Sequence, residues 1–211
     1  MTSRHQRPRR IVLTGGPAAG KTAITEVLRR ELSDEVTVVP ESATILFGGG
    51  FPRPSEPRGR RHVQRAIFAV QHELEDLCSD MHPKKTQICD RGSLDGAAYW
   101  PGGPQKFVQA MSTTLEKELA RYDAVVFLET SAYDEPQYVA DGSLRIEDAA
   151  EARRLDRRLR KIWSHHPSFH LVAHSQRFYE KVASVLIMLH RTLGIGVSSP
   201  ELSLQNRRPG R

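Results

Sequence analysis

Apolar residues in this chain gather into five short runs, separated by longer stretches in which they recur every three or four positions. The runs are Ile11-Val12-Leu13, Val36-Thr37-Val38-Val39, Ile88-Cys89, Ala124-Val125-Val126-Phe127-Leu128 and Phe169 to Ala173. They are near-continuous rather than alternating, as strands covered on both faces are. Helical spacing marks Thr22 to Leu32 and about 61 to 81, with apolar residues at 63, 66, 67, 70, 74 and 77. It recurs roughly over 105 to 121, over 147 to 163 and in a final stretch ending near Gly194. A shorter helical stretch is expected from Ser93 until Pro101-Gly102-Gly103 breaks it, and the Gly- and Pro-rich segment from Phe47 to Gly59 reads as loop. Strands alternating with helices predict an α/β fold in three layers around a five-stranded parallel sheet.

One connection in that pattern carries chemistry. Gly15-Gly16-Pro17-Ala18-Ala19-Gly20-Lys21-Thr22 fits G-x-x-x-x-G-K-[ST], entered by the first strand and left by the first helix. Glycines let the backbone turn successive N–H groups inward, and the helix N-terminus adds positive potential, so the loop can cradle phosphates. Lys21 is expected to reach the β- and γ-phosphates of ATP, and the Thr22 hydroxyl to help hold Mg²⁺.

Ligands of parallel sheets gather at the carboxyl ends of the strands, so Glu41, Asp90-Arg91, Glu129 and His174-Ser175 should share one rim with the loop. Glu41 is the candidate to orient an acceptor hydroxyl and take its proton; the plainer reading is a loop-capping carboxylate. Asp90 is the candidate second holder of Mg²⁺, and Arg91 the candidate for phosphate oxygens, against a plain Asp-Arg ion pair. Gln64 and Gln71 are seven apart, on one helix face, where amides could bind a base or sugar. The segment from Phe47 to Arg60, Phe51 included, should help shape the acceptor pocket. Leu155, Leu159 and Ile162 mark the packed stripe of the 147 to 163 helix, so arginines on its flanks, Arg154 and Arg158 among them, are candidates to neutralise the transferred group as part of a lid over about 131 to 166.

Charge changes the picture less than the total suggests. The net +6 of the 211 residues is accounted for by positions 1 to 10, with four arginines, and 201 to 211, with three arginines against Glu201. The stretch between is formally neutral, so basic tails over 1 to 9 and 197 to 211 are expected to be disordered ends rather than a nucleic-acid surface. Cys78 and Cys89 have no metal-ligand spacing, and no apolar run is long enough to span a bilayer or to make a secretory signal. A cytoplasmic protein with no membrane partner is expected, and a homodimer is compatible with the pattern.

The assembled motifs resemble a P-loop family of AAA-like domains, the NadR type that includes a nicotinamide riboside kinase. The likeness rests on 11 to 22, Val-Val-Pro-Glu-Ser-Ala-Thr at 38 to 44, Gly-Gly-Phe-Pro at 49 to 52 and Gln-Arg-Ala-Ile-Phe at 64 to 68. It continues with Cys-Asp-Arg-Gly at 89 to 92, the strand through Glu129-Thr130, and Leu-Asp-Arg-Arg with Trp-Ser-His-His-Pro at 155 to 167. The layout is also similar to nucleoside and nucleotide kinases, which implies a carboxylate after the second strand, an acid-Arg pair after the third and lid arginines before the last. The family pattern implies Asn after the fifth strand; His174 stands there instead, with Ser175 beside it toward the nucleotide base. The expected activity is an ATP-dependent phosphotransferase acting on a nucleoside-, nucleotide- or related small-molecule acceptor. The alternative is an ATP- or GTP-bound switch with a protein or lipid partner, although the only asparagine is Asn206, so the guanine-reading Asn-Lys-x-Asp is missing. An AAA+ remodelling motor is not expected, because no helical domain is seen after the core.

Overall fold

A computed structural model describes residues 8–133, 148–175 and 177–193. Both expected tails, except for residues 8 and 9, and the part of the expected lid from 134 to 147 lie outside the described residues. The elements run β1 (Arg10–Gly15), α1 (Lys21–Glu31), β2 (Val36–Val39), α2 (Ser42–Gly48), α3 (Pro57–Met81), β3 (Thr86–Asp90) and α4 (Gly96–Tyr99). They continue α5 (Pro104–Ala110), α6 (Leu115–Leu119), β4 (Ala124–Leu128), a 3-10 turn (Ser131–Tyr133), α7 (Ala149–Trp163), β5 (Phe169–Val172) and α8 (Phe178–Leu193).

All five strands are parallel, in the order β2-β3-β1-β4-β5. The central strands are buried on both faces, and successive side chains go to opposite layers. Ile11, Leu13, Val126 and Leu128 pack with Ile24 and Leu28 of α1 and Val185 and Leu189 of α8. Val12, Val125 and Phe127 pack with Phe107, Leu155, Leu159 and Trp163 on the other face. The order reverses at β1, whose neighbours β3 and β4 lead away in opposite directions, which opens a crevice at the strand ends.

Three expected elements are corrected. The segment expected as loop from Phe47 holds the end of a helix, α2, whose seven residues are too few to show a period. Helix α3 begins at Pro57 rather than about 61; proline suits the first helical turn, and Gly59 is required because a Cβ there would stand 2.5 Å from Pro54. The helix expected over 105 to 121 is two helices: Ser112 takes φ 54, and the Thr114 side chain accepts from the Lys117 N–H to start α6. Arg10, counted above with the basic tail, belongs to β1 and is buried.

Arg10 joins a buried charge network under the sheet. Glu75, fully buried, pairs with Arg10 at 3.6 Å and Arg121 at 2.7 Å and accepts from the Tyr122 hydroxyl at 2.7 Å. No helix among the described residues is long and apolar enough to cross a membrane, and both cysteines are free thiols. Glu75→Gln leaves two arginines short of their carboxylate in the interior and should cost about 3 kcal/mol, read as a lowered urea midpoint with an unchanged slope.

Candidate active site

The loop after β1 is shaped by close approaches that only glycine allows. Gly15 has φ 142, and a Cβ there would lie 2.0 Å from the Leu128 carbonyl oxygen. Beyond it the carbonyls are held one by one. Thr130 Oγ1 donates to the Pro17 carbonyl at 2.5 Å, Ser131 Oγ to Ala18 at 3.2 Å, and Lys181 Nζ to Ala19 at 3.0 Å. In a planar trans peptide the C=O and the next N–H point opposite ways, so the N–H groups of Ala18, Ala19 and Gly20 face the concavity. Lys21 is buried, its ammonium donating to the carbonyls of Gly15 at 2.9 Å and Gly16 at 2.8 Å.

Asp156 fixes the loop from behind. Its Oδ1 accepts from the Gly16 N–H and the Thr130 N–H, both at 3.1 Å. Burial raises its pKa, against the lowering by those two hydrogen bonds. Lys181 also donates to the Glu129 carbonyl at 2.7 Å, and burial lowers its pKa to about 8.

The rim acids and Arg91 form one cluster. Arg91, in the left-handed region at φ 73, donates through Nε to Glu41 Oε1 at 2.7 Å and through a terminal nitrogen to Asp95 Oδ2 at 3.2 Å and the Gly15 carbonyl at 3.3 Å. Asp95 is itself fixed by the Thr14 hydroxyl at 2.8 Å and the Trp163 indole N–H at 2.7 Å. Glu41 Oε2 accepts from Thr44 at 2.7 Å. Burial pushes the Glu41 carboxyl up, but Arg91, Thr44 and Lys21 together hold it below the usual range, so it is ionised at neutral pH. Asp90 behaves oppositely: burial, then the Glu41 charge, raise it to about 6 despite Lys21 and Arg91. Its Oδ1 is buried without a hydrogen-bond partner, and Thr22 stands exposed on the first turn of α1. An orphaned carboxylate oxygen and a free-standing hydroxyl beside a phosphate cradle fit a hard divalent cation such as Mg²⁺.

Gln71 donates to Glu75 Oε1 at 3.0 Å and to the Arg91 carbonyl at 3.2 Å, and its own Oε1 is buried without a partner. Gln64 is nearly buried, with its Oε1 against Gly96. Phe51 is half-buried just after α2. His174 donates its backbone N–H to Glu129 at 3.1 Å, and Ser175 Oγ donates to Glu180 at 2.6 Å. Arg154 pairs with Glu151, and Arg158 reaches the Ala98 carbonyl at 3.4 Å. Both arginines line a cavity beside α4 and α5 rather than the phosphate loop.

Asp95, Asp156, Thr130 and Lys181 have no role that the sequence alone assigns, although Thr130 and Asp156 stand in motifs that carry the family resemblance. Asp156 left a trace, an acid directly between the apolar positions Leu155 and Leu159; Lys181, inside an ordinary amphipathic helix, left none.

A sequence family described as AAA domain matches residues 10–180. The chain belongs to this family. No curated protein matches it in sequence. Among solved structures, the chain is similar to deoxyadenosine kinase from M. mycoides, with dCMP and a flexible dCDP bound, at TM-score 0.57 and 11% identity over 86% of this chain and 99% of that one. It is also similar to thymidylate kinase from Candida albicans, at TM-score 0.63 and 16% identity over 89% and 93%. The shared architecture is the nucleoside- and nucleotide-kinase P-loop fold.

Substitutions at two positions test this geometry. Asp156→Ala strands two buried N–H groups and should destabilise the protein by about 2 kcal/mol while weakening nucleotide binding, whereas Asp156→Asn, which keeps the acceptor oxygen, should recover most of both in paired denaturation and fluorescent-nucleotide titrations. Asp90 titrates near 6 when folded against 3.8 in an unperturbed chain, so its ionised form opposes folding above both values and costs nothing below both. Asp90→Asn should therefore stabilise the ligand-free protein by about 2 to 3 kcal/mol at pH 8, a gain that fades as the pH falls through 6 and is gone below about 4. An unchanged difference between the two proteins across that window would refute the assignment.

Proposed function

We propose that the chain is an ATP-dependent phosphotransferase that moves the γ-phosphoryl group to a hydroxyl of a small-molecule, nucleoside- or nucleotide-like acceptor. The observation that carries this reading is Glu41, an ionised carboxylate held by Arg91 at the mouth of the phosphate loop, where a pure nucleotide switch has no use for a base. The kinase names of the two structural neighbours point the same way.

On this reading the N–H groups of Ala18, Ala19 and Gly20 take the phosphate oxygens, and Lys21 exchanges the Gly15 and Gly16 carbonyls for the β- and γ-phosphates. Thr22 and Asp90 would hold a divalent cation, which supplies charge neutralisation across those phosphates. Glu41 orients the acceptor hydroxyl and receives its proton, while Arg91, held by Asp95, keeps Glu41 in place and offers positive charge to the transferred group. Gln64, Gln71 and Phe51 border the acceptor, and His174 and Ser175 lie on the base side of the donor.

Transfer of labelled phosphate from ATP to a panel of nucleosides, nucleotides, nicotinamide riboside and sugars tests the assignment. Lys21→Ala should abolish nucleotide binding or turnover; Glu41→Gln should bind ATP nearly as the parent does and transfer roughly 100-fold more slowly. Equal rates for Glu41→Gln and the parent on a phosphorylated acceptor would remove the base. No acceptor on a broad panel, with nucleotide altering affinity for a protein partner, would favour the switch.

A further inference from the structure

Between α4, α5 and α7 lies a cavity of about 1050 Å³, at the upper end of pockets that enclose small metabolites. Ala97, Trp100 and Ile162 give it an apolar and aromatic floor, while its wall carries the solvent-exposed Arg60, Arg154, Arg158 and Lys161 and a single carboxylate, Glu151. Lys21, Glu41, Asp90 and Arg91 are not in the lining. Arg154 is paired with Glu151, and Arg60 and Lys161 have no ion pair among the described residues. Helix α4 touches both places: Asp95, which holds Arg91, stands directly before it, and Ala97, Ala98 and Tyr99 line the cavity.

Four cations around an apolar floor repel one another, and a ligand that joins an apolar ring to an anion relieves the repulsion while covering the floor. A lone carboxylate would leave most of the excess charge unanswered. A phosphate monoester, with nearly two negative charges and three acceptor oxygens, matches the guanidinium forks. Building on the phosphotransferase reading, we infer that the acceptor already carries a phosphate monoester on a ring-bearing body, that this group is held in the cavity, and that the γ-phosphoryl goes to a hydroxyl elsewhere on the same molecule. The hydroxyl oxygen forms the new bond to the γ-phosphorus, and the bond to the β,γ-bridging oxygen breaks with its electron pair leaving on ADP. The hydroxyl proton passes to Glu41 and then to water. The product is a bisphosphate with two separate monoesters, not a diphosphate.

The full chain is incubated with ATP and Mg²⁺ and three matched series: nucleosides, their 5′-carboxylates and their 5′-monophosphates. The 5′-monophosphates should be used with KM at least about tenfold below the other two series, and the products should show two monoester signals without phosphorus–phosphorus coupling in ³¹P NMR. Arg60→Ala/Lys161→Ala should raise the KM for a 5′-monophosphate about tenfold while a fluorescent ATP analogue binds within about twofold of the parent. A coupled diphosphate product, equal use of nucleosides, or a double variant that matches the parent would each overturn the cavity assignment and leave the phosphotransferase reading standing. If nothing in the series or in the broader panel is phosphorylated, the phosphotransferase reading fails, and calorimetry with the 5′-monophosphates decides the cavity. Binding that the double variant loses supports it; binding that is absent, or equal in both proteins, refutes it.

Discussion

A loop that points its amides at an anion must give its carbonyls somewhere else to go, and in this protein that obligation organises everything around the sheet's reversal point. The carbonyls of Pro17, Ala18 and Ala19 are taken by Thr130, Ser131 and Lys181, which come from the segment that follows β4 and from α8. Buried carbonyls without partners would each cost about 1 to 3 kcal/mol, so the concave face depends on donors more than one hundred residues away. The parallel register that places Leu128 beside Gly15 brings those donors into range and forbids any side chain at position 15.

The same economy of partners explains why the acids differ. Glu41 and Asp90 share a small volume and the same nearby cations, yet Glu41 has a guanidinium and a hydroxyl on its two oxygens, and Asp90 has an oxygen with neither. One carboxylate is therefore kept charged by the fold, and the other is kept at the fold's expense. On the proposed reading, a divalent cation at the orphaned oxygen would offset that cost.

Much of this could be read in the sequence because it is local. The eight-residue loop, the strand runs that flank it and the acids at strand ends each carry their signal within a few positions, so Lys21, Glu41, Asp90 and Arg91 fall on one rim as the strand-end rule requires. The breaks were harder. Ser112 adopts a left-handed backbone that its residue type does not announce, and α2 is too short to display a period. The supporting contacts were least legible: Asp156, Asp95 and Lys181 act across 52 to 162 positions, on partners that only the packing of α7 and α8 brings together. Arg154 and Arg158 show the limit of a helical stripe, which tells which face is packed but not which neighbour each flank meets.

Helix α7 is fastened at two heights, by Asp156 to the loop amide at Gly16 and by Trp163 to Asp95. Its middle is buried against the sheet through Leu155 and Leu159. A rod pinned at two points on a close-packed body has no hinge of its own. The face of α7 that carries Arg154, Arg158 and Lys161 therefore travels with the phosphate loop as one solid piece.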